Sequence, residues 1–319
     1  MKHVLLQIAK IATTLAACLS LPALAQDSQS APQKVAEANI AAVETAAKQP
    51  QPDQAQPALW KISDDDTTIY LFGTIHVLPD GINWFEGKVA QAFAASESLV
   101  TEIVGGDPAE MQGLVVNMAM LPASKSLRSQ LTGEKLAAYE AALARYGIPP
   151  ELFDRFEPWY AAIALSTVPL MQAGFDAEHG VENLLEDKAQ QRSLAHIGLE
   201  TSAYQLGLFD GLPMAVQERY LGEVIEQLPT LKTDINAMVE AWKGGNAAEL
   251  ARLMNAAESD PVLVKTLLID RNKAWAQWLQ QRMDKPGTVF VAVGAGHLAG
   301  PGSVQDQLSA LKIHSCRLQ

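Results

Sequence analysis

Two segments far apart in the chain share one pattern, and it constrains the fold more than any other feature. Residues 68–72 and 288–293 are β-branched and aromatic runs, which are typical of buried strands. Both runs lead into the same exit, a glycine followed three positions later by a histidine: Gly73-Thr74-Ile75-His76 and Gly294-Ala295-Gly296-His297. Because glycine permits a sharp turn out of a sheet, both imidazoles are expected at strand ends.

A third run of the same kind adds a carboxylate. Residues 98–103 form an apolar segment with Glu102 near its end, just before Gly105-Gly106. Ligand sites in open α/β sheets form at the carboxyl ends of the strands. If the three strands run parallel, His76, Glu102 and His297 converge on one edge of the sheet.

The remaining pattern predicts the fold class. Residues 58–62 and 68–72 form a hairpin, 193–199 form a strand that ends at Glu200, and 313–318 close the sheet. The intervening chain is largely helical, with breaks at Pro and Gly. We therefore predict an α/β domain with a mixed central β-sheet and long helical insertions that cover the site.

The first 25 residues have the pattern of an export signal. A positively charged start precedes a mostly apolar run over 11–24, and Ala23-Leu24-Ala25 fits a signal-peptidase site. Leu15-Ala16-Ala17-Cys18 resembles a lipobox, but polar residues would then lie inside the apolar core of the signal. We expect cleavage after Ala25 and a periplasmic or secreted protein, with a lipid anchor at Cys18 as the less favoured alternative.

Composition assigns the rest of the N-terminal region and excludes some partners. Residues 26–56 are rich in Gln, Ala, Pro and Ser, which predicts a disordered linker before a domain over 57–319. The formal net charge is −12 and basic clusters are absent, which argues against a nucleic-acid partner. No other apolar stretch approaches membrane-spanning length. After cleavage Cys316 is the one cysteine left, so an internal disulfide is excluded.

Several segments, in chain order, carry a family resemblance. They are Leu59-Trp60-Lys61-Ile62, residues 70–79 around Gly73-Thr74-Ile75-His76, Leu199-Glu200-Thr201 with Gln205, Asp270-Arg271-Asn272, and residues 293–300 around Gly294-Ala295-Gly296-His297. Together with Glu102 after Leu99-Val100, they resemble the TraB/GumN family, which includes the Tiki proteases, over about residues 58–319.

The resemblance implies a chemistry and a set of residues. Tiki members are metal-dependent proteases, and the wider superfamily includes erythromycin-esterase-like hydrolases and haem-binding ChaN-like proteins. The paired histidines and the acidic residue of the family carry over onto His76, His297 and Glu102. The chain departs from the family at Gly180-Val181-Glu182, where an Asp is expected after the Gly-x pair, so no role is carried over to Glu182.

These residues suggest a metal-assisted hydrolase. His76, Glu102 and His297 form a plausible ligand set for Mn²⁺, Co²⁺ or Zn²⁺ with open positions for water. Glu200 would act as a base or orient a ligand, and Arg271 would stabilise the developing oxyanion. The substrate would be a peptide, by the resemblance, or another compound with a reactive carbonyl.

Two alternatives stay open at this point. The same His and Glu side chains could activate water without a metal, as a metal-independent esterase or peptidase would. A non-catalytic periplasmic protein that binds haem or a metal would carry the same motif. Other residues are assigned smaller roles: Thr74 is a candidate hydrogen-bond partner of the site, His179 and His196 are predicted to be structural, and His314 is predicted at the surface.

Overall fold

The computed structural model describes residues 55–255 and 260–319. The predicted signal sequence, Cys18 and all but the end of the predicted linker lie outside these residues. Ala55 and Gln56, predicted as linker, belong to the folded part. Their backbone N–H groups donate to the carbonyl oxygens of Asn83 at 3.0 Å and Lys243 at 2.7 Å. Within the described ranges, no helix is both long and apolar enough to cross a membrane.

The centre of the fold is a six-stranded mixed sheet. The strands are β1 Leu59–Ser63, β2 Thr67–Thr74, β3 Leu78–Pro79, β4 Ser98–Thr101, β5 Phe175–Asp176, β6 Ala195–Gly198, β7 Gly287–Gly294 and β8 Cys316–Arg317. The sheet order is β6-β4-β7-β2-β1-β8, while β3 and β5 pair separately. Strands β6, β4, β7 and β2 run parallel, and β1 and β8 add antiparallel pairs at one side. The predicted α/β class with a mixed sheet is therefore confirmed.

Helices occupy most of the chain between the strands. They are α1 Gly87–Ala95, α2 Pro108–Ala119, α3 Leu127–Gln130, α4 Glu134–Arg145, α5 Pro158–Gln172, α6 Val181–Gln191, α7 Ser202–Asp210, α8 Met214–Gln227, α9 Leu231–Lys243, α10 Ala247–Asn255, α11 Pro261–Val264, α12 Asp270–Met283 and α13 Val304–Ala310. A π-helical turn, Lys265–Ile269, leads directly into α12, and a 3-10 turn, Ala295–Leu298, follows β7. The predicted long helical insertions are present, but the π-helical turn was not predicted.

Alternation along the strands separates two cores. Val289, Val291 and Val293 of β7 pack in one cluster with Trp275 and Leu279 of α12. Phe290 and Ala292 point to the opposite face, where they join the larger core built with the helical insertions. A sheet covered on both faces explains why these strands are continuously apolar.

Strand lengths differ from the prediction where the chain leaves the sheet. Strand β4 ends at Thr101 rather than at residue 103, and β6 covers Ala195–Gly198 rather than 193–199. Ile103 after β4 and Leu199 after β6 are apolar but lie outside the strands, so composition alone overestimates strand length. The predicted β1–β2 hairpin is present, and its turn is held by Asp64 Oδ1, which accepts from the Thr67 N–H at 2.8 Å.

Candidate functional site

The carboxyl ends of four parallel strands lie at one edge of the sheet, and they include the three strand ends that the sequence predicted to converge. His76 follows β2, Glu102 follows β4, Glu200 follows β6, and His297 lies in the 3-10 turn after β7. Both imidazoles help to lower the pKa of Glu102, and His297 Nε2 lies 3.8 Å from Glu102 Oε1. Two histidines separated by more than two hundred positions thus act on the pKa of one carboxylate.

The two Gly-x-x-His exits touch each other. A Cβ atom at Gly73 would lie 3.0 Å from Ala295 Cα, which is tighter than ordinary van der Waals contact, so glycine favours close packing of the first exit against the second. The carbonyl oxygen of Gly73 accepts a hydrogen bond from Trp242 Nε1 at 2.7 Å. This buried contact from α9 fixes the first exit to the helical insertion.

Arg271 is the centre of the buried part of the site. Its side chain is 5% exposed, and it bridges Glu102 and Glu200, whose side chains are 7% and 6% exposed. Its Nε donates to Glu200 Oε1 at 2.9 Å, and Nη2 donates to Glu102 Oε2 at 2.6 Å and to Glu200 Oε2 at 2.8 Å. Nη1 lies 3.2 Å from both the Leu267 carbonyl oxygen and His297 Nε2.

This arrangement uses all five N–H groups of the Arg271 guanidinium. The predicted contact between Arg271 and a substrate oxyanion would therefore require one of these bonds to break. The π-helical turn before α12 sets this geometry, since it carries the Leu267 carbonyl that receives one of the bonds. Arg271 is built into the fold as a bridge between strand ends.

Two further side chains complete the carboxylate network. Gln205 of α7 donates through Nε2 to Glu102 Oε2 at 3.1 Å and to Glu200 Oε2 at 2.8 Å. Trp275, one helical turn after Arg271, donates through Nε1 to Glu200 Oε1 at 2.9 Å. Glu102 Oε1 also accepts from the Gly294 backbone N–H at 2.8 Å, so the carboxylate joins the ends of β4 and β7.

The pKa of Glu102 is held well below its ordinary range. Burial alone would raise it, but this effect is outweighed by the charges of Arg271, His297 and His76 and by the hydrogen bond from the Gly294 N–H. Burial likewise opposes the charge on Arg271, and Glu102 and Glu200 overcome it, so the pKa of Arg271 is raised. Glu102 is therefore ionised in the folded protein at every pH near neutrality.

The low pKa of Glu102 predicts a loss of stability in acid. The unfolded chain binds more protons than the folded chain at acid pH. The free energy of unfolding therefore has its full Glu102 contribution above pH 4.5 and loses it as the pH falls toward the depressed folded-state pKa. We expect Glu102→Gln to flatten this acid limb by up to about 1.4 kcal/mol per pH unit. Urea unfolding between pH 2 and 6 measures it. Glu134→Gln on an exposed helix start is the control, and an equal effect of both variants would contradict the prediction.

Hydrogen bonds identify the tautomer of His297. Asn272 Nδ2 donates to the Gly302 carbonyl oxygen at 2.8 Å, which leaves Asn272 Oδ1 as an acceptor for His297 Nδ1. His297 Nδ1 therefore carries a proton, and in the neutral ring Nε2 offers a lone pair toward Arg271. The ring is fully buried and packs against Trp275 with centroids 4.3 Å apart.

His76 has a carboxylate partner of its own. Its Nδ1 lies 2.5 Å from Glu182 Oε1, and both side chains are at most 5% exposed. The hydroxyl of Thr74 donates to the same oxygen of Glu182. Thr74, predicted as a possible partner of the site, therefore lies beside Glu182, a residue to which the sequence analysis assigned no role. Each histidine of the paired exits thus has its Nδ1 engaged, His76 by a carboxylate and His297 by an amide.

Gly180 brings Glu182 to His76. A Cβ atom at Gly180 would lie 2.2 Å from the His76 carbonyl oxygen and 2.8 Å from that of Ala177. The start of α6 is further tied to the first exit by the Val181 N–H, which donates to the Ile75 carbonyl oxygen at 3.1 Å. Close packing of two backbones at Gly180 therefore places the Glu182 carboxylate, two residues later, beside His76.

We expect Gly180→Ala to be strongly destabilising. The added methyl group must displace backbone atoms, and overpacking of this kind costs about 1–3 kcal/mol or more. The matched control is Gly222→Ala inside α8, where nothing lies within 4 Å of the added Cβ. That change should stabilise the protein by roughly 0.5–1 kcal/mol through helix propensity. Urea unfolding of both variants checks the pair; an unchanged midpoint for Gly180→Ala would refute the close contact.

Two adjoining cavities open on this side of the sheet. One, of about 220 Å³, is lined by His76, Glu182 and Glu186 among others. The other, of about 380 Å³, includes Glu110 and Glu200 in its lining. Their walls share three residues, Gly106, Met111 and Ser202. Arg271, Glu102 and His297 are not among the residues that line either cavity.

The predicted metal ligands do not fit a shared ion in this arrangement. The Nε2 lone pair of His297 faces Arg271, and Glu102 Oε2 accepts from both Arg271 and Gln205. A cation bound there would also lie against the guanidinium charge. Within residues 55–255 and 260–319, no three His, Cys, Asp or Glu side chains are grouped to hold a metal ion.

Some site residues were missed in the sequence. Asn272 and Trp275 stand one and four positions after Arg271, so helical spacing from that residue could have identified Trp275. Glu182 was set aside because it departs from the family pattern. Of the remaining histidines, His179 and His314 are exposed, and His196 on β6 lies 2.7 Å from the Thr101 hydroxyl.

Comparisons with known proteins agree with the motif pattern. The model of the TraB/PrgY/gumN family matches residues 58–314. An uncharacterized protein of Treponema pallidum (strain Nichols) is 23% identical over 271 residues, which cover 77% of this chain and 78% of that protein. The uncharacterized protein YbaP of Escherichia coli (strain K12) and of Shigella flexneri is 25% identical over 242 residues, 75% of this chain and 87% of YbaP. No solved structure matches significantly. These similarities assign a family and no activity.

Proposed function

Because this chain belongs to the TraB/PrgY/gumN family, we propose that it is a hydrolase of peptide or ester bonds with His76 as its general base. The observation that carries the proposal is the buried His76–Glu182 pair on the wall of a cavity of about 220 Å³. Of the five residues expected at the site, His76 is the one that joins an oriented imidazole to a space for substrate.

The chemistry follows from the pair. Glu182 Oε1 lies 2.5 Å from Nδ1 of His76 and favours the tautomer with the proton on Nδ1, so in the proposed reaction Nε2 is the atom that takes a proton from a water molecule. The water oxygen then forms a bond to the substrate carbonyl carbon. Collapse of the tetrahedral intermediate breaks the bond to the leaving nitrogen or oxygen, which receives the proton held on Nε2. Glu182 orients the imidazole and stabilises its charged form.

The buried network has a positioning role in this proposal. Arg271, Glu102 and Glu200 join the ends of β4 and β6 to the start of α12 through hydrogen bonds. Their hydrogen bonds are made within the protein, so we assign them to holding the strand ends in place rather than to contact with substrate. Glu200 still lines the larger cavity and is the member of this group nearest to a ligand.

Hydrolysis of a library of fluorogenic peptides and p-nitrophenyl esters tests the proposal. We expect turnover that depends on His76. Assays with a chelator and with added Mn²⁺, Co²⁺ or Zn²⁺ decide the metal requirement, which remains a prediction from the sequence and the family resemblance. Activity that survives chelation favours direct activation of water by His76. No turnover of any substrate, with or without added metal, would count against a hydrolase.

A further inference from the structure

The loop that follows β4 separates the two cavities and belongs to both of them. Val104, Gly105 and Gly106 are exposed, and their backbone N–H and C=O groups make no hydrogen bond within the described chain. Gly106 lines both cavities, while Gly105 lines the His76 cavity and Val104 the larger one. Exposed, unpaired main chain along a cleft is a template for an extended peptide, which can bind it through main-chain hydrogen bonds.

The side chains around this loop give the cleft its charge. Glu186 Oε2 lies within 3.5 Å of the place where a Cβ on Gly105 would stand, and Glu110 Oε2 within 3.9 Å of the corresponding place at Gly106. Asp107 and Glu200 add two more carboxylates to the wall of the larger cavity. Of the residues known to line these two cavities, none is Lys or Arg.

The buried network of Arg271, Glu102 and Glu200 does not neutralise the negative charge of the cavities. Arg271 supplies one positive charge to two carboxylates, Glu102 and Glu200, so this buried network carries a net negative charge when His297 is neutral. A cleft lined by charges of one sign attracts ligands of the opposite sign. Apolar side chains, Met111 and Leu114, also line the larger cavity and suit the methylene stem of a long side chain.

We infer that the substrate is a peptide carrying a Lys or Arg side chain, bound in extended form along Val104–Gly106. Its cationic group lies at Glu110 and Asp107, and its scissile carbonyl lies at His76. The inference rests on the proposed hydrolase function and adds the class of substrate. It also makes Glu110 a specificity-determining residue and Gly106 the point of closest approach to the substrate backbone.

The test compares a fluorescent Lys peptide with the same peptide acetylated on the Lys side chain. Binding is measured by anisotropy on His76→Ala, which keeps the cleft but removes the base, and so it needs no turnover. We expect the Lys peptide to bind about 10-fold more tightly at 20 mM salt, and the ratio to shrink at 500 mM salt. Glu110→Gln in this background should reduce the ratio about 3- to 5-fold. Glu134→Gln, which lines neither cavity, should leave it unchanged.

A second variant tests the main-chain part of the inference. Gly106→Val places a side chain in the cleft, and the nearest atom to its Cβ would be Glu110 Oε2 at 3.9 Å. The variant should fold normally and bind both peptides at least 10-fold more weakly. Equal binding of the two peptides, or undiminished binding by Gly106→Val, would overturn the inference. Either result leaves the hydrolase proposal intact if the wild-type protein cleaves the acetylated peptide in a His76-dependent way.

Discussion

His76→Ala should lower kcat/KM by about 10²–10⁴-fold while leaving the fold intact, since general acid–base catalysis by a positioned side chain contributes that much. The effect should fall on kcat, because His76 takes its proton in the transition state and adds little to ground-state binding. Alanine is smaller than histidine and position 76 lines a cavity, so the volume left by the imidazole simply enlarges that cavity. Circular dichroism and urea unfolding verify the fold before the kinetics are compared.

Two matched variants make the His76 result specific. His314→Ala removes an exposed histidine just before β8, the edge strand opposite β6. It should change kcat/KM by less than about twofold. Glu182→Gln keeps a hydrogen-bonding side chain beside His76 but allows the wrong tautomer, so kcat should fall about 10- to 100-fold with KM unchanged. The assignment of the base would be wrong if His76→Ala retained more than about a tenth of wild-type activity or if His314→Ala lost as much.

The sequence was informative where one residue type has one structural consequence. A glycine after a buried run indicates a turn, and parallel strands put their ends at one edge, so His76, Glu102 and His297 could be placed together without coordinates. Their convergence in the structure confirms that step. The separate roles of these residues were not predictable, because they depend on which side chain lines the cavity.

Glu182 shows why the rest was missed. Its contact with His76 depends on the approach of α6 to within van der Waals distance of the His76 backbone, which a single glycine permits. Nothing in the local pattern of residues 180–182 reports that approach. Arg271 was identified from the sequence, but its role was not. The orientation of α12 after the π-helical turn directs the guanidinium N–H groups to protein acceptors rather than to substrate.

Arg271→Met should lower the free energy of unfolding by about 3–5 kcal/mol at pH 8, the cost of leaving buried carboxylates without their cation. Glu102 and Glu200 lose three hydrogen bonds from the guanidinium, and His297 loses the donor at its Nε2. Arg219→Met is the matched control, since Arg219 pairs with Asp260 through a side chain that is 49% exposed. Exposed pairs contribute at most about 1 kcal/mol, so this change should be mild. Urea unfolding measures both variants.

The charge balance predicts how the Arg271→Met defect responds to pH and to second substitutions. Without Arg271, burial raises the pKa of Glu102 instead of being outweighed, so the folded variant takes up protons and the defect shrinks between pH 8 and pH 5. Adding Glu102→Gln and Glu200→Gln removes the uncompensated charges and should restore more than half of the lost stability. If the triple variant is as unstable as Arg271→Met alone, the loss comes from packing against Trp275, whose ring lies 4.8 Å from the guanidinium carbon, and not from charge. Recovery would instead show that folding does not need the Arg271–Glu102–Glu200 bridge when all three charges are removed together. The role of the bridge would then be to set the geometry of the strand ends near His76.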